Sequence, residues 1–365
     1  MKIIAFHLPQ FHEIEENNKW WGEGFTEWTN LRKAKTLFRK HYQPRKPLND
    51  FYYDLTDEKA REWQASIAQE HDIYAFCYYH YWFKGKKLLE KPTEEILKTK
   101  KPDMPFCFCW ANESWTKRWD GKENHILIKQ EYGTEVDWDR HYDYLHDFFY
   151  DERYIKNDNM PMLLIYRDEK TEEFNNMLTF LNEKAKNKGF NGIHFVQVLR
   201  GEILNINHNI NYKAYALFEP FFTMNNMPRF WFFKERILKL KNLLLNHLFK
   251  KKLLLINQKS YDKFYKKILN RDLNLDKKTY RGAFVDWDNT PRRGYNGLVF
   301  KGSTPSKFSD YLSKLIEISN QKKSDYIFIN AWNEWCESTY LEPDQVHGYQ
   351  YLEAVRNAMR KSKLR

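Results

Sequence analysis

The chain has 365 residues and a formal net charge of +11; 42% of its residues are hydrophobic, 30% are charged and 18% are aromatic. This length and composition exclude a disordered or fibrous protein and fit one large α/β barrel or two smaller domains. No run approaches the ~18 consecutive apolar residues of a membrane-spanning helix, and no nucleic-acid-binding motif accompanies the positive charge, so we expect neither a membrane span nor a nucleic-acid partner.

The amino terminus reads MKIIAFHLPQF and resembles a first strand. It lacks the apolar core and the small-residue cleavage site of a secretory signal, so we predict a cytoplasmic protein. The cysteines show no zinc-type pairing and are expected to be reduced thiols, as is usual in the cytoplasm. They are Cys77, Cys107, Cys109 and Cys336.

Apolar or aromatic runs follow one another along the chain and are separated by polar stretches with helical spacing. The pattern predicts eight strands that alternate with helices, and therefore a single (β/α)8 barrel, or TIM barrel, as one catalytic domain over residues 1–365. Thr56 and Gly189 are the expected start and stop of two of the helices. The fifth connection, from Arg200 to Lys213, is short and rich in asparagine, and no helix is assigned to it. The runs cover residues 3–8, 73–82, 105–110, 162–167, 194–199, 215–220, 282–288 and 326–332.

A segment rich in lysine and leucine lies between Lys234 and Lys267. Its apolar residues recur at helical spacing, so we predict one or two amphipathic helices, inserted into the barrel around residues 230–270. Packing of the leucines on the barrel, with the lysines in solvent, is the favoured interpretation. The alternative is peripheral contact with an anionic surface at the inner membrane face, or with a lipid-linked glycan.

Polar and aromatic residues close nearly every predicted strand, and the active site of such a barrel lies where the strands end. A sugar ring stacks its C–H face on aromatic planes while its hydroxyl groups take polar partners, so these residues fit a sugar-binding cleft. An aromatic-rich core is an equally weighted interpretation. The candidate substrate-binding residues are His7, Trp21, Glu27, His80, Trp82, Trp110, Asn112, Glu113, Tyr166, Glu219, Asp286 and Trp287.

The eighth run continues into YIFINAWNEWCESTYLEPD, in which Glu334 and Glu337 follow a strand-like apolar stretch. Acids directly after a buried strand must face a cleft, because their burial costs free energy. Retaining cleavage of a glycosidic bond needs two carboxyl groups about 5 to 5.5 Å apart, one ionised and one protonated, and we predict that these two glutamates are catalytic. The substrate-binding candidates that frame them, with the tryptophans as an apolar wall, are Trp332, Asn333 and Trp335.

Five motifs resemble the WbsX family of bacterial polysaccharide loci: HLPQFH, WWGEGFTEW, YYHYW, PFCFCWANESW and WNEWCESTYLEP. That family is itself similar to glycoside hydrolase family 99, whose members are endo-acting α-mannosidases on a (β/α)8 barrel. The resemblance implies that Glu334 deprotonates the 2-hydroxyl of the sugar, whose oxygen then attacks the anomeric carbon. It implies that Glu337 protonates the leaving oxygen and later activates water. Mannose specificity does not follow, because Cys336 and Ser338 depart from the family 99 motif.

We therefore predict a retaining glycoside hydrolase that acts on an oligo- or polysaccharide without a metal or other cofactor. The alternative is a glycosyltransferase of cell-surface polysaccharide biosynthesis, which the polysaccharide loci and the missing export signal favour. Asp286-Trp287-Asp288 matches the D-x-D pattern that holds a divalent metal in many transferases, but no G-x-G-x-x-G motif opens a nucleotide-binding unit. A non-catalytic sugar-binding barrel is less favoured, since it would not need both acids.

Overall fold

The fold is that of a computed structural model, which describes residues 1–116, 126–201, 209–228, 255–273 and 275–363 and isolated positions between 237 and 247. Two predictions fall partly beyond these ranges. Residues 202–208 of the fifth connection lie outside the described residues, and so does much of the first part of the basic insertion, between residues 230 and 254.

Parallel strands close into a ring. Each strand pairs with the next along the chain, and the last pairs with the first, with Lys2 opposite Tyr326. This closed ring confirms the predicted (β/α)8 barrel. The strands are β1 Lys2–His7, β2 Ala75–Phe83, β3 Phe106–Trp110, β4 Met160–Ile165, β5 His194–Leu199, β6 Tyr212–Leu217, β7 Lys278–Phe284 and β8 Tyr326–Asn330.

The strands form where aromatic and β-branched residues run together. Every residue of β3 and β8 is buried, as expected for strands covered by the barrel interior on one face and by helices on the other. The sixth and seventh strands begin before the predicted runs and end before them. These strands begin with polar residues, such as the exposed Lys278. A prediction from apolar runs therefore placed the start of each strand too late.

Helices follow the strands and pack around the ring. The N-cap of the helix Glu58–Glu70 is Asp57 and not Thr56, the residue that was predicted. Gly189, at φ +92°, follows the end of the helix Glu172–Asn187, as predicted. The helices of the described residues are α1 Glu15–Trp21, α2 Glu27–Lys33, α3 Glu58–Glu70, α4 Lys91–Thr99, α5 Glu135–Tyr150, α6 Glu172–Asn187, α7 Phe221–Asn225, α8 Tyr261–Leu269, α9 Thr290–Arg293, α10 Pro305–Gln321 and α11 Gln350–Lys363.

Short strands and turns decorate the barrel. Lys86–Leu88 pairs with β2, Lys156–Asn157 pairs with β4, Trp115–Thr116 pairs with Ile126–Ile128, Asn257–Ser260 pairs with Leu298–Lys301, and Asn333–Glu334 pairs with Thr339–Tyr340. Single 3-10 turns cover Leu48–Asp50, Gly294–Asn296 and Trp335–Glu337.

The described end of the basic segment is the amphipathic helix α8. It buries Tyr261, Phe264, Tyr265 and Ile268 and leaves its lysines toward solvent, which is the favoured packing arrangement for this part of the segment. Among the described residues, none of the helices combines the length and the apolar character needed to cross a bilayer.

Two short helices reach the turn that follows β8. The loop after β1 carries α2, and the loop after β7 carries α9. Both helices pack against the turn Trp335–Glu337. The fold therefore brings three loops, from opposite ends of the sequence, to one side of the barrel mouth.

Candidate active site

A cavity of about 350 Å³, here called the central cavity, opens at the carboxyl ends of the barrel strands. It is the position at which a (β/α)8 barrel carries its active site. Its lining comes from the ends of most of the strands and from the loops that follow them. The lining residues are Leu8, Gln10, Asn17, Trp21, Tyr79, Tyr81, Ala111, Glu113, Ser114, Trp115, Thr116, Leu127, Tyr166, Arg200, Phe218, Phe221, Arg292, Asn330, Glu334 and Glu337.

A tight turn after β8 presents both predicted acids to this cavity. Glu334 ends a two-residue strand that pairs with Thr339–Tyr340, and Glu337 ends the 3-10 turn between the paired strands. Asn333 anchors the turn to the first strand, because its side-chain oxygen accepts from the Leu8 N–H at 2.7 Å and its nitrogen donates to the Leu8 carbonyl at 3.0 Å. The acids are therefore held on a turn fixed to the barrel itself.

One guanidinium joins three carboxylates at the floor of the cavity. Arg292 donates from Nη1 to Glu337 Oε1 at 2.9 Å and from Nη2 to Glu27 Oε1 at 2.6 Å. The same Nη2 lies 3.3 Å from Glu334 Oε2. Glu27 is fully buried and also accepts from the Cys336 N–H at 3.2 Å. Arg292 thus holds the two predicted catalytic acids beside each other, and Glu27 holds Arg292.

Burial changes the protonation of the two acids. Desolvation raises the pKa of Glu334 well above that of an exposed glutamate, although the Arg292 guanidinium acts in the opposite direction. Desolvation also raises the pKa of Glu337, again against the effect of Arg292. Because both acids contact the same cation, they titrate together, and the pair keeps a proton at a pH at which an exposed glutamate is ionised. A pair that shares a proton can act as acid and base.

Aromatic side chains form much of the wall around the acids. The ring of Tyr81 packs edge-on against Trp115 at a centroid distance of 5.2 Å, and Tyr166 lies edge-on to Phe218 at 5.5 Å. Trp21 lines the same cavity from the end of α1. Such a wall provides stacking surfaces for the C–H faces of sugar rings.

An ion pair forms another part of the wall. The guanidinium of Arg200 contacts both carboxylate oxygens of Glu113 and lies 4.2 Å above the ring of Tyr166. Asn112, beneath this pair, fixes the next loop, since its nitrogen donates to the Arg167 carbonyl at 2.6 Å and its oxygen accepts from the Arg167 N–H at 2.8 Å. The pair places charged, polar groups in the lining of the central cavity.

A second cavity of about 510 Å³, here called the side cavity, adjoins the central cavity. Glu334 lines only the central cavity. The residues that line both cavities are Glu113, Ser114, Thr116, Phe221, Arg292 and Glu337. The residues of the side cavity are Glu113, Ser114, Thr116, Arg167, Phe221, Asn289, Arg292, Arg293 and Glu337.

Five predicted site residues line the central cavity together: Trp21, Glu113, Tyr166, Glu334 and Glu337. Four others support that cavity from behind. Glu27 and Asn333 hold the turn that carries Glu334 and Glu337, and Asn112 holds the loop at Arg167. The ring of Trp287 packs edge-on against Phe221, at a centroid distance of 4.9 Å.

The remaining predicted substrate-binding residues do not line the central cavity, because each is engaged in the barrel wall. His7 bonds to Gln64, His80 bonds to His141, Trp82 stacks on His141, and Trp110 donates to the Trp82 carbonyl. Glu219 accepts from Thr223, Asp286 pairs with Arg45, Trp332 packs on Phe76, and Trp335 stacks on Tyr340 and donates to Glu342. The apolar wall expected of Trp332 and Trp335 is provided by other aromatic residues.

The D-x-D sequence has its carboxylates engaged by different partners. Asp286 pairs with buried Arg45 at 2.6 Å, whereas Asp288 contacts His41 at 2.7 Å and Gln43 at 2.9 Å. These contacts use the oxygens that a divalent cation would need. Across the described ranges, His, Cys, Asp and Glu side chains form no group of three that could hold a metal ion.

Cys336, between the two acids, is a packed thiol. Its Sγ donates to the Glu27 carbonyl at 3.3 Å, and the side chain is buried. Burial raises the pKa of the Cys336 thiol well above its ordinary value, which keeps it in the protonated, weakly nucleophilic form.

Several cavity residues escaped the sequence analysis. Tyr79 and Tyr81 lie on the inner face of β2, one residue away from the predicted His80 and Trp82. The alternation of side chains along a strand was a signal that could have found them. Trp115 was also missed, although it ends the motif PFCFCWANESW. Other missed residues, which stand in none of the five motifs, include Arg200, Arg292, Phe218 and Phe221.

Comparisons with known proteins agree with this architecture. A family model described as glycosyltransferase WbsX matches residues 3–355. A protein named uncharacterized protein WxcX, from Xanthomonas campestris pv. campestris (strain B100), is 34% identical over 364 residues, which are 98% of this chain and 49% of that protein. The chain thus spans about half the length of the curated relatives it matches.

Two solved structures share the fold. A GH99 endo-alpha-mannosidase from Bacteroides thetaiotaomicron, in complex with BIS-TRIS-propane, is 12% identical, with a TM-score of 0.59 and coverage of 100% of this chain and 97% of that chain. A glycoside hydrolase-like protein is 10% identical, with a TM-score of 0.58 and coverage of 98% and 93%. At such identities the likeness concerns the fold alone.

Proposed function

The chain belongs to the glycosyltransferase WbsX family, a family of glycosyl-processing enzymes, and on that premise we propose that it cleaves glycosidic bonds of an oligo- or polysaccharide with retention of configuration. The observation that carries the proposal is the arrangement of Glu334 and Glu337 on one guanidinium, in an aromatic cavity at the barrel mouth. We further propose that the barrel is a single catalytic domain.

In the first step Glu337, protonated, donates its proton to the glycosidic oxygen as the bond from that oxygen to the anomeric carbon breaks. Glu334, ionised, accepts the proton of the 2-hydroxyl, whose oxygen attacks the anomeric carbon and closes a 1,2-anhydro sugar. In the second step Glu337 takes a proton from the incoming water, whose oxygen attacks the anomeric carbon as the bond from that carbon to the 2-oxygen breaks. Glu334 returns its proton to the 2-oxygen. These roles rest on the resemblance to glycoside hydrolase family 99. Burial raises the pKa of Glu334 to about 8 and that of Glu337 by less, so the roles require that the shared proton moves to Glu337 when substrate binds. Two inversions at one carbon produce net retention.

Arg292 keeps each acid able to change its protonation during this cycle. Burial alone would hold both carboxyls neutral, and the guanidinium opposes that effect on Glu334 and on Glu337. A fixed cation also stabilises whichever carboxylate is ionised at a given step. Arg292 is thus a positioning residue that sets the working pH range of the pair.

The central cavity suits a sugar ring next to the acids. Trp21, Trp115 and Tyr81 offer aromatic faces, and the ion pair of Glu113 with Arg200 offers donors and acceptors. A cavity of about 350 Å³ falls within the range of about 300 to 1,000 Å³ that is usual for ligand sites.

Transfer to a second sugar is the other candidate function, and the description of the family as glycosyltransferase favours it. The same acids serve this reaction if a sugar hydroxyl replaces water in the second step. Transfer from a nucleotide sugar would be a different reaction, because the leaving group would then be a nucleoside diphosphate and not a sugar. Incubation with nucleotide sugars and manganese, with nucleotide release as the readout, separates this version from hydrolysis.

The proposal predicts that Glu334→Gln and Glu337→Gln each lower the turnover of α-linked aryl glycosides or oligosaccharides. The amide cannot exchange protons with the substrate, so we expect losses of about 10² to 10⁴-fold, as is typical of general acid–base residues. Turnover is measured from release of the aryl alcohol or by chromatography of the sugars.

Azide distinguishes the two roles. With a good aryl leaving group, Glu337→Gln still forms the anhydro sugar, and azide, which needs no general base, restores turnover and forms a glycosyl azide. Azide leaves Glu334→Gln inactive. Glu173→Gln on the exposed side of α6 is the matched control and keeps full activity. Near-normal turnover in either active-site variant, with the fold verified by circular dichroism, would refute the proposal.

A further inference from the structure

The two adjoining cavities differ in the chemistry of their linings. The central cavity carries two tryptophans and three tyrosines, whereas the side cavity is lined mainly by polar and charged side chains, with Phe221 as its aromatic residue. Three arginines line the side cavity, Arg167, Arg292 and Arg293. The two cavities are therefore suited to different parts of a substrate.

The position of the acids relates the cavities to the reaction. Glu337 lines both cavities and Glu334 lines only the central one. Under the proposed function, on which this step rests, Glu337 contacts the glycosidic oxygen and Glu334 contacts the sugar that is cleaved. The sugar that reacts then occupies the central cavity, and the leaving group or the acceptor occupies the side cavity beyond Glu337.

The charges of the side cavity favour an anion. Both oxygens of Glu113 are engaged by Arg200, and Glu337 is bonded to Arg292. Arg167 is half exposed and pairs with Glu169 at 2.9 Å, outside the cavity lining, and at 3.9 Å with Glu113, inside it. Arg293 is exposed, and within the described ranges its charge acts on Glu337, whose pKa it lowers, without a direct ion pair between the two side chains. Its guanidinium is therefore available to a ligand.

We propose that the side cavity binds an anionic group, a carboxylate or a phosphate, on the leaving group or acceptor of the reaction. Arg293 is the main contact, because a guanidinium binds both groups through two parallel hydrogen bonds. Arg167 adds a second positive charge, and the hydroxyl groups of Ser114 and Thr116 add hydrogen-bond donors. Acidic sugars and phosphate-bearing acceptors or leaving groups are the two sources of such a group.

The test measures binding of three small sugars at low salt by calorimetric or NMR titration: D-glucuronate, D-glucose 6-phosphate and neutral D-glucose. We expect the wild-type protein to bind at least one charged sugar more tightly than glucose, by about threefold or more, as one partly exposed ion pair can supply. In Arg293→Gln the ratio of the affinity for the charged sugar to the affinity for glucose should fall close to one. Arg140→Gln, on the exposed side of α5, removes the same charge elsewhere and should leave the preference unchanged.

The pattern of preference identifies the source of the anion. Preference for glucuronate alone supports an acidic sugar, preference for the phosphate ester alone supports a phosphate, and preference for both supports recognition of charge. Equal binding of the three sugars, or a preference that survives in Arg293→Gln, overturns the inference. Failure of the proposed function would instead appear as turnover that persists in Glu334→Gln or Glu337→Gln, which these titrations do not measure.

Discussion

At the scale of single residues, the site depends on contacts between distant parts of the sequence. Glu334 and Glu337 were predictable, because both stand in one motif directly after an apolar strand. Arg292 was not, since its partners lie 42, 45 and 265 residues away, and no local pattern marks it. Glu27 was predicted to bind substrate, but its burial and its contact with Arg292 make it a support for the acids.

Removal of the Arg292 charge should shift the pH dependence of activity. The guanidinium lowers the pKa of both acids, so in Arg292→Gln burial acts with less opposition and each pKa rises further. The base is then ionised only at a higher pH, and the acid keeps its proton to a higher pH. Both limbs of the profile of kcat/KM against pH should therefore move up by about one unit or more.

Two further variants make this result interpretable. Arg292→Lys keeps a cation and should shift the profile less than Arg292→Gln does. Arg292→Gln alone leaves the buried carboxylate of Glu27 without its cation, which should destabilise the fold. The double variant Glu27→Gln, Arg292→Gln removes that carboxylate as well and should regain the lost stability. A profile that stays in place, or moves to lower pH, would show that Arg292 does not control the acids.

At the scale of secondary-structure elements, alternation along the strands explains which predictions were correct. Residues two apart on a barrel strand share a face. On β2, the predicted residues His80 and Trp82 pack against His141 in the wall. Tyr79 and Tyr81 face the cavity instead. A buried strand is apolar on both faces, so hydrophobicity could not tell the inner face from the outer one.

A close approach between β6 and β7 should make Gly282 sensitive to substitution. A Cβ at this position would meet the Leu217 carbonyl oxygen at 1.9 Å, and backbone atoms of a paired strand cannot move away easily. Gly282→Ala should therefore destabilise the fold by about 1 to 3 kcal/mol or more, as overpacking does. The denaturant midpoint measures this loss.

Gly201 provides the matched comparison. A Cβ there has no atom of the described residues within 4 Å, so Gly201→Ala should leave the midpoint near that of the wild type. Equal midpoints for the two variants would mean that the barrel does not hold β6 and β7 as closely as described.

At the scale of the whole molecule, the order of strands was predictable from the sequence, and the arrangement of the cavity was not. Regular spacing of apolar runs, with helical stretches between them, indicates a barrel because parallel strands need crossover connections. The lining of the cavity instead depends on loops after β1 and β7, whose course is set by long-range contacts such as those of Arg292. The predicted fold was therefore enough to locate the site. Which side chains line it could be seen only in the structure.

The most direct test of the account is the anomeric configuration of the first product, followed by NMR during turnover of α-linked aryl glycosides or oligosaccharides. The account predicts that the α-anomer appears first and then equilibrates, without any requirement for a nucleotide or manganese. A β-anomer as the first product would contradict retention by Glu334 and Glu337. Sugar transfer that occurs only with nucleotide sugars and manganese, with release of the nucleotide, would contradict the proposed reaction class.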